Sequence, residues 1–158
     1  MEFVTDDEQI PEIDPTAHLL VVVAARLNRL TNKVLSQLDI PLTYRQHRLL
    51  YRVSKGTTSL AELASYGNLT LPTVSESLDG LVRRGLLIRR PAPQDRRQRH
   101  LELSDLGRSA CTAGQLALGK IMEDLINDLP PEHREVLHET LASVYDAATT
   151  HFKADRSG

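Results

Sequence analysis

The sequence predicts a mainly α-helical protein with one small β-hairpin. Apolar residues recur at helical spacing through most of its 158 residues, which favours helices as the main element. The stretch Thr70–Leu103 differs, because it joins one helix to two short β-prone runs separated by prolines and arginines. Two more helical patterns follow and are divided at Pro130 and Pro131. The fold therefore depends on how these helices are arranged around Thr70–Leu103.

The helix that opens this stretch has one apolar stripe at helical spacing, formed by Val74, Leu78, Leu81 and Val82. Thr70 is placed to cap its start, and Pro72 fits the first turn because no N–H is needed there. A residue before proline avoids the helical region, so the helix is expected to begin at Leu71. Gly85 then ends it, since glycine readily adopts the left-handed conformation that follows a helix.

A β-hairpin is predicted after this glycine. Leu86–Ile88 is one short β-prone run, and Leu101–Leu103 is a returning strand with alternating leucines. The loop between them contains one acid and three arginines: Asp95, Arg96, Arg97 and Arg99. Arginine enters narrow minor grooves, where the potential is most negative, although a solvated charged hairpin is the alternative for the loop alone. Helix, glycine and hairpin in this order predict a winged helix-turn-helix that binds DNA.

The segment before the recognition helix completes the helix-turn-helix. Leu60–Tyr66 is predicted as a short helix, Gly67 and Asn68 as the turn, and Thr57–Ser59 as a third strand of the wing sheet. The second helix of such a pair lies in the major groove with its first turns on base edges. The candidates for base contacts are its polar residues Thr70, Thr73, Ser75, Glu76 and Ser77. Hydroxyls can bind several base edges, and a glutamate can accept a hydrogen bond from cytosine N4.

The net charge of −2 conceals a strong segregation along the chain. Residues 1–16 contain six acids and no Lys or Arg, a charge of −6. Residues 17–101 contain fourteen basic and five acidic residues, which gives +9, and residues 102–158 contain five and ten, which gives −5. Such a basic middle section is the electrostatic feature that binding to DNA phosphates requires.

These patterns divide the chain into an acidic tail (1–15), a dimerisation helix (16–40), the winged helix-turn-helix DNA-binding domain (41–103), C-terminal dimerisation helices (104–151) and a second tail (152–158). Thr16, Thr43 and Ser104 are expected to cap the first, second and fifth helices. The first helix has a broader apolar face than one small domain needs. A twofold dimer through the terminal helices would place two recognition helices about 34 Å apart on a palindromic operator.

The two C-terminal helices have predicted inward stripes. In the fifth helix the stripe comprises Leu106, Ala110, Ala113, Ala117, Ile121 and Leu125, and in the sixth it comprises Val136, Leu137, Leu141, Val144 and Tyr145. Glycine costs about 1 kcal/mol against alanine inside a helix. Gly114 and Gly119 are therefore expected to allow close packing against another helix.

Several classes of protein find no support in the sequence. No run of eighteen apolar residues is present, so no membrane span is expected. The single cysteine, Cys111, excludes an internal disulfide framework, suits the cytosol and is expected to be a packed thiol. No phosphate loop, nucleophile motif or Cys-x-x-Cys occurs, so we expect no enzyme, no catalytic residues and no cofactor. Glu135, His138 and Glu139 share a helix face, which we interpret as a solvated surface and not as a metal site.

The stretches TVSESLDGLVRRGLL and PAPQDRRQRHLELSDLG resemble the MarR family of bacterial transcription regulators. The resemblance covers about residues 17–150. The matching features are the recognition helix ending in a glycine, the wing pair Asp95 and Arg97, and the Leu103, Ser104, Gly107 opening of the next helix. It implies a homodimer joined through the terminal helices, binding to double-stranded DNA and, as a family expectation, repression.

The resemblance also implies a small-molecule ligand, often an aromatic anion, held between the dimer helices and the winged domain. Residues that could serve such a ligand are His18, Arg26, His47 and Arg48, although each is also explained as a surface or helix-packing residue. The alternative function is a winged-helix module that binds a protein and no specific DNA. The basic middle section and the arginines of the wing favour the DNA-binding regulator.

Overall fold

The computed structural model describes residues 12–57, 59–67, 69–91 and 99–155. In chain order its elements are α1 (Pro15–Ser36), α2 (Tyr44–Ser54), α3 (Leu60–Gly67), α4 (Leu71–Arg83), β1 (Leu87–Pro91), β2 (Arg99–Leu103), α5 (Asp105–Asn127) and α6 (Pro131–Asp155). The mainly helical fold with a small antiparallel hairpin is as predicted. α2 lies at the centre and contacts α1, α3, α4, α5 and β2.

The cap of α1 differs from the prediction. The carboxylate of Asp14, not the hydroxyl of Thr16, accepts hydrogen bonds from the backbone N–H groups of Thr16 and Ala17 at 2.9 and 3.0 Å. Pro15 occupies the first turn, where its missing N–H costs nothing. An aspartate directly before such a proline is therefore a stronger start signal than the threonine after it.

The predicted caps of α2 and α4 are confirmed. Thr43 and Gln46 form a reciprocal capping box, with Gln46 N donating to Thr43 Oγ1 at 3.2 Å and Thr43 N donating to Gln46 Oε1 at 3.0 Å. Thr70 accepts from the N–H of Thr73 at 3.4 Å, and α4 begins at Leu71 as expected. These caps satisfy backbone donors that each helix start leaves open, so the sequence fixes where both helices begin.

The described sheet is a two-stranded antiparallel hairpin in which Leu87 pairs with Leu103 and Arg89 with Leu101. The predicted third strand is wrong for the residues that the structure describes, since Thr57 and Ser59 lie outside any strand and Thr58 is not among them. The turn before the hairpin contains Gly85 at φ 70°, a backbone conformation that residues other than glycine rarely adopt.

The start of α5 is joined closely to this turn. Ser104 Oγ accepts from Gly107 N at 2.9 Å and donates to the carbonyl of Gly85 at 2.5 Å. A Cβ built on Gly107 would lie 1.9 Å from the carbonyl oxygen of Leu86. Only glycine therefore fits at this position without a backbone shift, which explains the glycine of the Leu-Ser-x-x-Gly motif.

One core joins the end of α1, α2, α3, α4, the hairpin and the first half of α5. Its fully buried large side chains are Leu35, Leu50, Leu63, Val74, Leu81, Leu86 and Leu87. α5 faces it with Gly107, Ala110, Cys111 and Gly114. The buried face of α5 is thus rotated relative to the predicted stripe, since Leu106 and Ala113 of that stripe are exposed. Small residues line the buried face because the helix approaches its neighbours closely.

Outside this core, the long helices leave apolar side chains exposed. Among the most exposed are Leu19 and Val21 of α1, Leu116 of α5, and Val136, Leu141 and Tyr145 of α6. No side chain described in α6 is buried. Within the described residues no helix combines the length and apolar character needed to cross a membrane.

Candidate nucleic-acid interface

The recognition helix α4 has one buried and one accessible face. Val74, Leu78 and Leu81 are buried in the core as predicted. Thr70 and Glu76 are exposed, whereas Thr73, Ser75 and Ser77 are half-buried. The first two turns of α4 are therefore accessible to a partner.

Three of the five predicted base-contact residues make local hydrogen bonds. The hydroxyls of Thr70 and Thr73 lie 2.8 Å apart, and Ser77 Oγ donates to the carbonyl of Thr73 at 2.8 Å. Within the part of the chain that the structure describes, the side chains of Ser75 and Glu76 have no hydrogen-bond partner. The Ser75 hydroxyl can therefore donate to or accept from a ligand, and the Glu76 carboxylate can accept.

The recognition helix is fixed at its end by Arg84. Its guanidinium donates to the backbone carbonyl of Pro41 at 2.6 Å and to Gln46 Oε1 at 3.2 Å. Asp79, on the same helix, forms an ion pair with Arg89 of β1. These contacts connect α4 to the α1–α2 linker on one side and to the hairpin on the other.

The hairpin carries a second charged cluster. Glu102 lies 3.0 Å from Arg90 Nε and 2.6 Å from His100 Nε2. The hydrogen bond from His100, followed by the charge of Arg90, lowers the pKa of Glu102 below its usual value. The carboxylate therefore holds the side chains of Arg90 and His100 together on the hairpin surface.

Of the four predicted wing residues, the structure describes only Arg99. Asp95, Arg96 and Arg97 lie outside the described residues. The backbone of Arg99 belongs to β2 and pairs with Pro91 at the end of the ladder. β1 contacts α4, so the described strands of the hairpin lie beside the recognition helix.

A pocket of about 660 Å³ lies between α1, α2, α3 and α4. Its lining includes three arginines and two tyrosines, namely Arg45, Arg48, Arg52, Tyr44 and Tyr66, with Asn28, Asn32 and Ser77. No described Asp or Glu lines it. The Arg52 guanidinium carbon lies 3.9 Å from the Tyr66 ring centroid, and Arg48 Nη2 donates to the Tyr66 carbonyl at 3.3 Å. Fixed cations beside aromatic rings suit an aromatic anion.

The structure does not bring the four predicted ligand residues together. Arg48 lines the pocket, whereas His18 and Arg26 are exposed on α1 and are not part of its lining. His47 is buried elsewhere. The sequence missed Arg45, Arg52 and Tyr66 as pocket residues, although the spacing of Arg45, Arg48 and Arg52 places them along one side of α2.

His47 is a core residue with only 3% of its surface exposed. Its ring stacks on Tyr51, and a Cβ on Gly114 would lie 2.5 Å from its Cδ2. Neither ring nitrogen has a hydrogen-bond partner among the described atoms. Burial lowers the pKa of His47, because the charged imidazolium would lose its hydration. The close packing predicted for Gly114 is thus confirmed, whereas a Cβ on Gly119 would meet nothing within 4 Å.

Cys111 is buried beside His47 in the same interface of α2 and α5. Burial raises the pKa of its thiol, which keeps it protonated. This is the packed thiol that the sequence predicts. The described residues also contain no group of three His, Cys, Asp or Glu side chains placed to bind a metal ion.

Two helices joined by a tight turn, an accessible second helix and a hairpin beside it define a winged helix-turn-helix protein. Residues 40–98 match the family described as the MarR family. The structure of a mutant of MarR from E. coli is similar over 85% of this chain and 99% of that chain, with 27% identity and a TM-score of 0.68. The chain is therefore similar to MarR-family proteins in sequence over residues 40–98 and in fold over most of its length.

Further solved structures share the fold. A mutant of E. coli MarR complexed with operator DNA has a TM-score of 0.69 and 26% identity, covering 82% of this chain and 93% of that chain. CouR from Rhodococcus jostii, bound to p-coumaroyl-CoA, has a TM-score of 0.70 and 21% identity over 83% of this chain and 92% of that chain. No curated protein sequence matches the chain.

Proposed function

We propose that this chain is a homodimeric transcription regulator that binds double-stranded DNA sequence-specifically at a palindromic operator. It acts as a repressor and is released by a small aromatic or anionic ligand, without catalytic activity. One observation carries the DNA-binding part. α4 exposes its first two turns while its opposite face is buried in the core. The likeness to MarR in complex with operator DNA supports this assignment.

In the proposed complex, α4 enters the major groove and the hairpin loop follows the adjacent minor groove. The cap residue Thr70 and Glu76 of the second turn are exposed, and half-buried Ser75 has no hydrogen-bond partner among the described residues. Arg96 and Arg97 are proposed to bind in the minor groove, where the negative potential is strongest. The excess of basic residues in 17–101 supports the phosphate contacts that this docking requires.

The exposed apolar side chains of the long helices support the proposed dimer. Val136, Leu141 and Tyr145 of α6 are 60%, 50% and 67% exposed, and Leu19 of α1 is 59% exposed. Large exposed apolar side chains on long helices are typical of surfaces that obligate dimers bury. A second copy of the chain that covers α1, α5 and α6 would bury it.

The pocket supports the proposed release by a ligand. Ser77 of the recognition helix lines it together with the α2 arginines, so a bound anion would contact α4 directly. A ligand that binds one dimer state more tightly shifts the population toward that state. If that state has a different spacing of the two α4 helices, an operator with fixed half-sites loses affinity.

The DNA-binding proposal is tested by measuring binding of the purified protein to its own upstream DNA and to a scrambled duplex. We expect preferential binding that falls steeply between about 50 and 200 mM salt, because each neutralised phosphate releases counterions. Arg97→Ala should weaken operator binding about tenfold. Arg26→Ala, an exposed arginine of α1, is the control and should leave the affinity nearly unchanged.

Equal, weak binding to both duplexes would favour a protein-interaction module over a sequence-specific regulator. Absence of binding at low salt would contradict the DNA-binding proposal. Sedimentation of the free protein tests the dimer separately, and a monomer at micromolar concentration would contradict that part.

The ligand proposal is tested with a panel of aromatic carboxylates, using thermal stabilisation of the protein and release of the operator as the two measurements. Arg48→Gln and Arg52→Gln should abolish both responses, because each removes a cation from the pocket. Arg26→Gln is the matched control, since this exposed arginine does not line the pocket. A response that survives both pocket substitutions would place the ligand elsewhere.

A further inference from the structure

The accessible part of the recognition helix has an unusual amino-acid composition for a helix that recognises DNA bases. From Thr70 to Asp79 it contains no Arg, Lys, Asn or Gln. Those four side chains make the common bidentate contacts to guanine and adenine in the major groove. The first basic residue of α4 is Arg83, in the last turn and away from the end that meets base edges. This part of the helix therefore has no side chain that makes the common bidentate contacts with guanine or adenine.

The first turn instead presents apolar surface. Leu71 is 48% exposed, and Pro72 beside it is also exposed. Leu71 stands at the first helical position and Ser75 follows it four residues later, so the two lie on the same side of α4. An apolar side chain at this position contacts DNA favourably only where DNA has an apolar group. In the major groove that group is the C5-methyl of thymine.

The second turn presents a carboxylate. Glu76 is exposed, and its side chain has no hydrogen-bond partner within the described residues. Next to DNA a carboxylate is repelled by phosphates and therefore needs a hydrogen-bond donor. The exocyclic N4 amino group of cytosine is the donor that the major groove offers to an acidic side chain.

We propose that α4 recognises pyrimidine edges: in each half-site Leu71 contacts the C5-methyl of a thymine and Glu76 accepts a hydrogen bond from N4 of a cytosine. The proposal rests on the proposed function, in which α4 enters the major groove. It adds the chemical identity of the bases and the residues that select them.

The experiment selects bound duplexes from two randomised pools with the full-length protein. One pool contains thymine, and in the other every thymine is replaced by uracil, which lacks only the methyl group. We expect a palindromic consensus with a fixed thymine in each half-site of the first pool, and loss of that preference in the uracil pool. A consensus that is equally strong at the same position in both pools would overturn the role of Leu71.

Affinity measurements with the selected duplex then test whether Leu71 is the side chain that contacts the thymine methyl group. Replacing the two fixed thymines by uracil should weaken the wild-type protein about 15-fold, from about fourfold for each buried methyl. Leu71→Ala should bind both duplexes equally. Leu106→Ala, an equally exposed leucine in the first turn of α5, should retain the full effect of the methyl groups. A methyl effect that Leu71→Ala retains would belong to DNA shape and would overturn the assignment.

Glu76→Gln tests the second contact. Glutamine donates and accepts at adenine N6 and N7, so the preferred base at the cytosine position should change to adenine. An unchanged preference for cytosine would overturn the role of Glu76. Selection of a consensus that is indifferent to both substitutions would leave the regulator proposal intact, whereas the absence of any consensus would contradict the regulator proposal itself.

Discussion

The winged helix-turn-helix of residues 41–103, here called the winged unit, and the long helices α1, α5 and α6 use apolar side chains in opposite ways. In the winged unit Leu50, Leu81 and Leu86 are fully buried. On the long helices Leu116, Val136 and Tyr145 are at least 60% exposed. An isolated helix gains little stability from its own hydrogen bonds and depends on tertiary packing of its apolar face. The winged unit thus packs around a buried core with the end of α1 and the start of α5, while α6 and the outer parts of α1 and α5 leave apolar side chains exposed in the described chain.

Gly107→Ala should have the largest effect on the winged unit. The new Cβ would meet the carbonyl oxygen of Leu86 at 1.9 Å, so the start of α5 must move away from the hairpin. We expect a loss of about 3 kcal/mol in the free energy of unfolding, measured with urea. Gly119→Ala is the control, because its Cβ meets no described atom within 4 Å and should stabilise the helix by roughly 0.5–1 kcal/mol. Equal effects of the two substitutions would contradict the close approach at Gly107.

Leu141→Asp tests the exposed apolar side chains of the long helices. Its side chain is 50% exposed in the single chain, so the charge should cost little there. In the proposed dimer the same charge would be buried without a partner, which weakens association by roughly 100-fold. Sedimentation equilibrium measures the dissociation constant. Ala142→Asp adds the same charge on the neighbouring, polar side of α6 and should leave the dimer intact, and dissociation by both would argue against a dimer face at Leu141.

Lowering the pH should destabilise the winged unit through His47. Burial lowers its pKa in the folded chain below the ordinary value of 6.5, so the unfolded chain binds a proton first as the pH falls. The contribution of His47 is therefore complete above about pH 6.5 and is lost below it, with a slope of at most about 1.4 kcal/mol per pH unit. His47→Leu should reduce this slope in urea unfolding between pH 7.5 and 5.5. An identical slope in the variant would contradict the prediction.

Thr43→Ala should have the smallest effect. It removes the side-chain half of the capping box with Gln46, which is worth about 1 kcal/mol. The expected loss is similar in monomer and dimer, because Thr43 lies at the start of α2 within the winged unit. A loss that depended on protein concentration would instead place this cap in the dimer contact.

Sequence patterns predicted the winged unit well because its signals are local. Thr70 before Leu71 and Pro72, and Gly85 after the helix, each act on the backbone beside them. The prediction of Thr16 as the cap of α1 was wrong because Asp14 and Pro15, directly before it, form the stronger start signal. The third strand was predicted from Thr57–Ser59, whose residue types suit a strand as well as a loop.

The packing of α5 and the pocket were less predictable. A stripe of leucines and alanines placed Leu106 inside, but the contact with the hairpin leaves room only for Gly107. Periodicity of apolar residues does not indicate how closely two backbones approach. The pocket likewise combines α2 with residues from three other helices, and their proximity is a tertiary feature.

The contacts of Ser104 and Gly107 with Gly85 and Leu86 have a mechanical consequence. They fuse the end of α4, the root of the hairpin and the start of α5 without a hinge between them. In the proposed dimer, a rotation of α5 would move the recognition helix and the hairpin together as one rigid body. The DNA-binding surface of each subunit would keep its shape, and regulation would change the distance between the two surfaces.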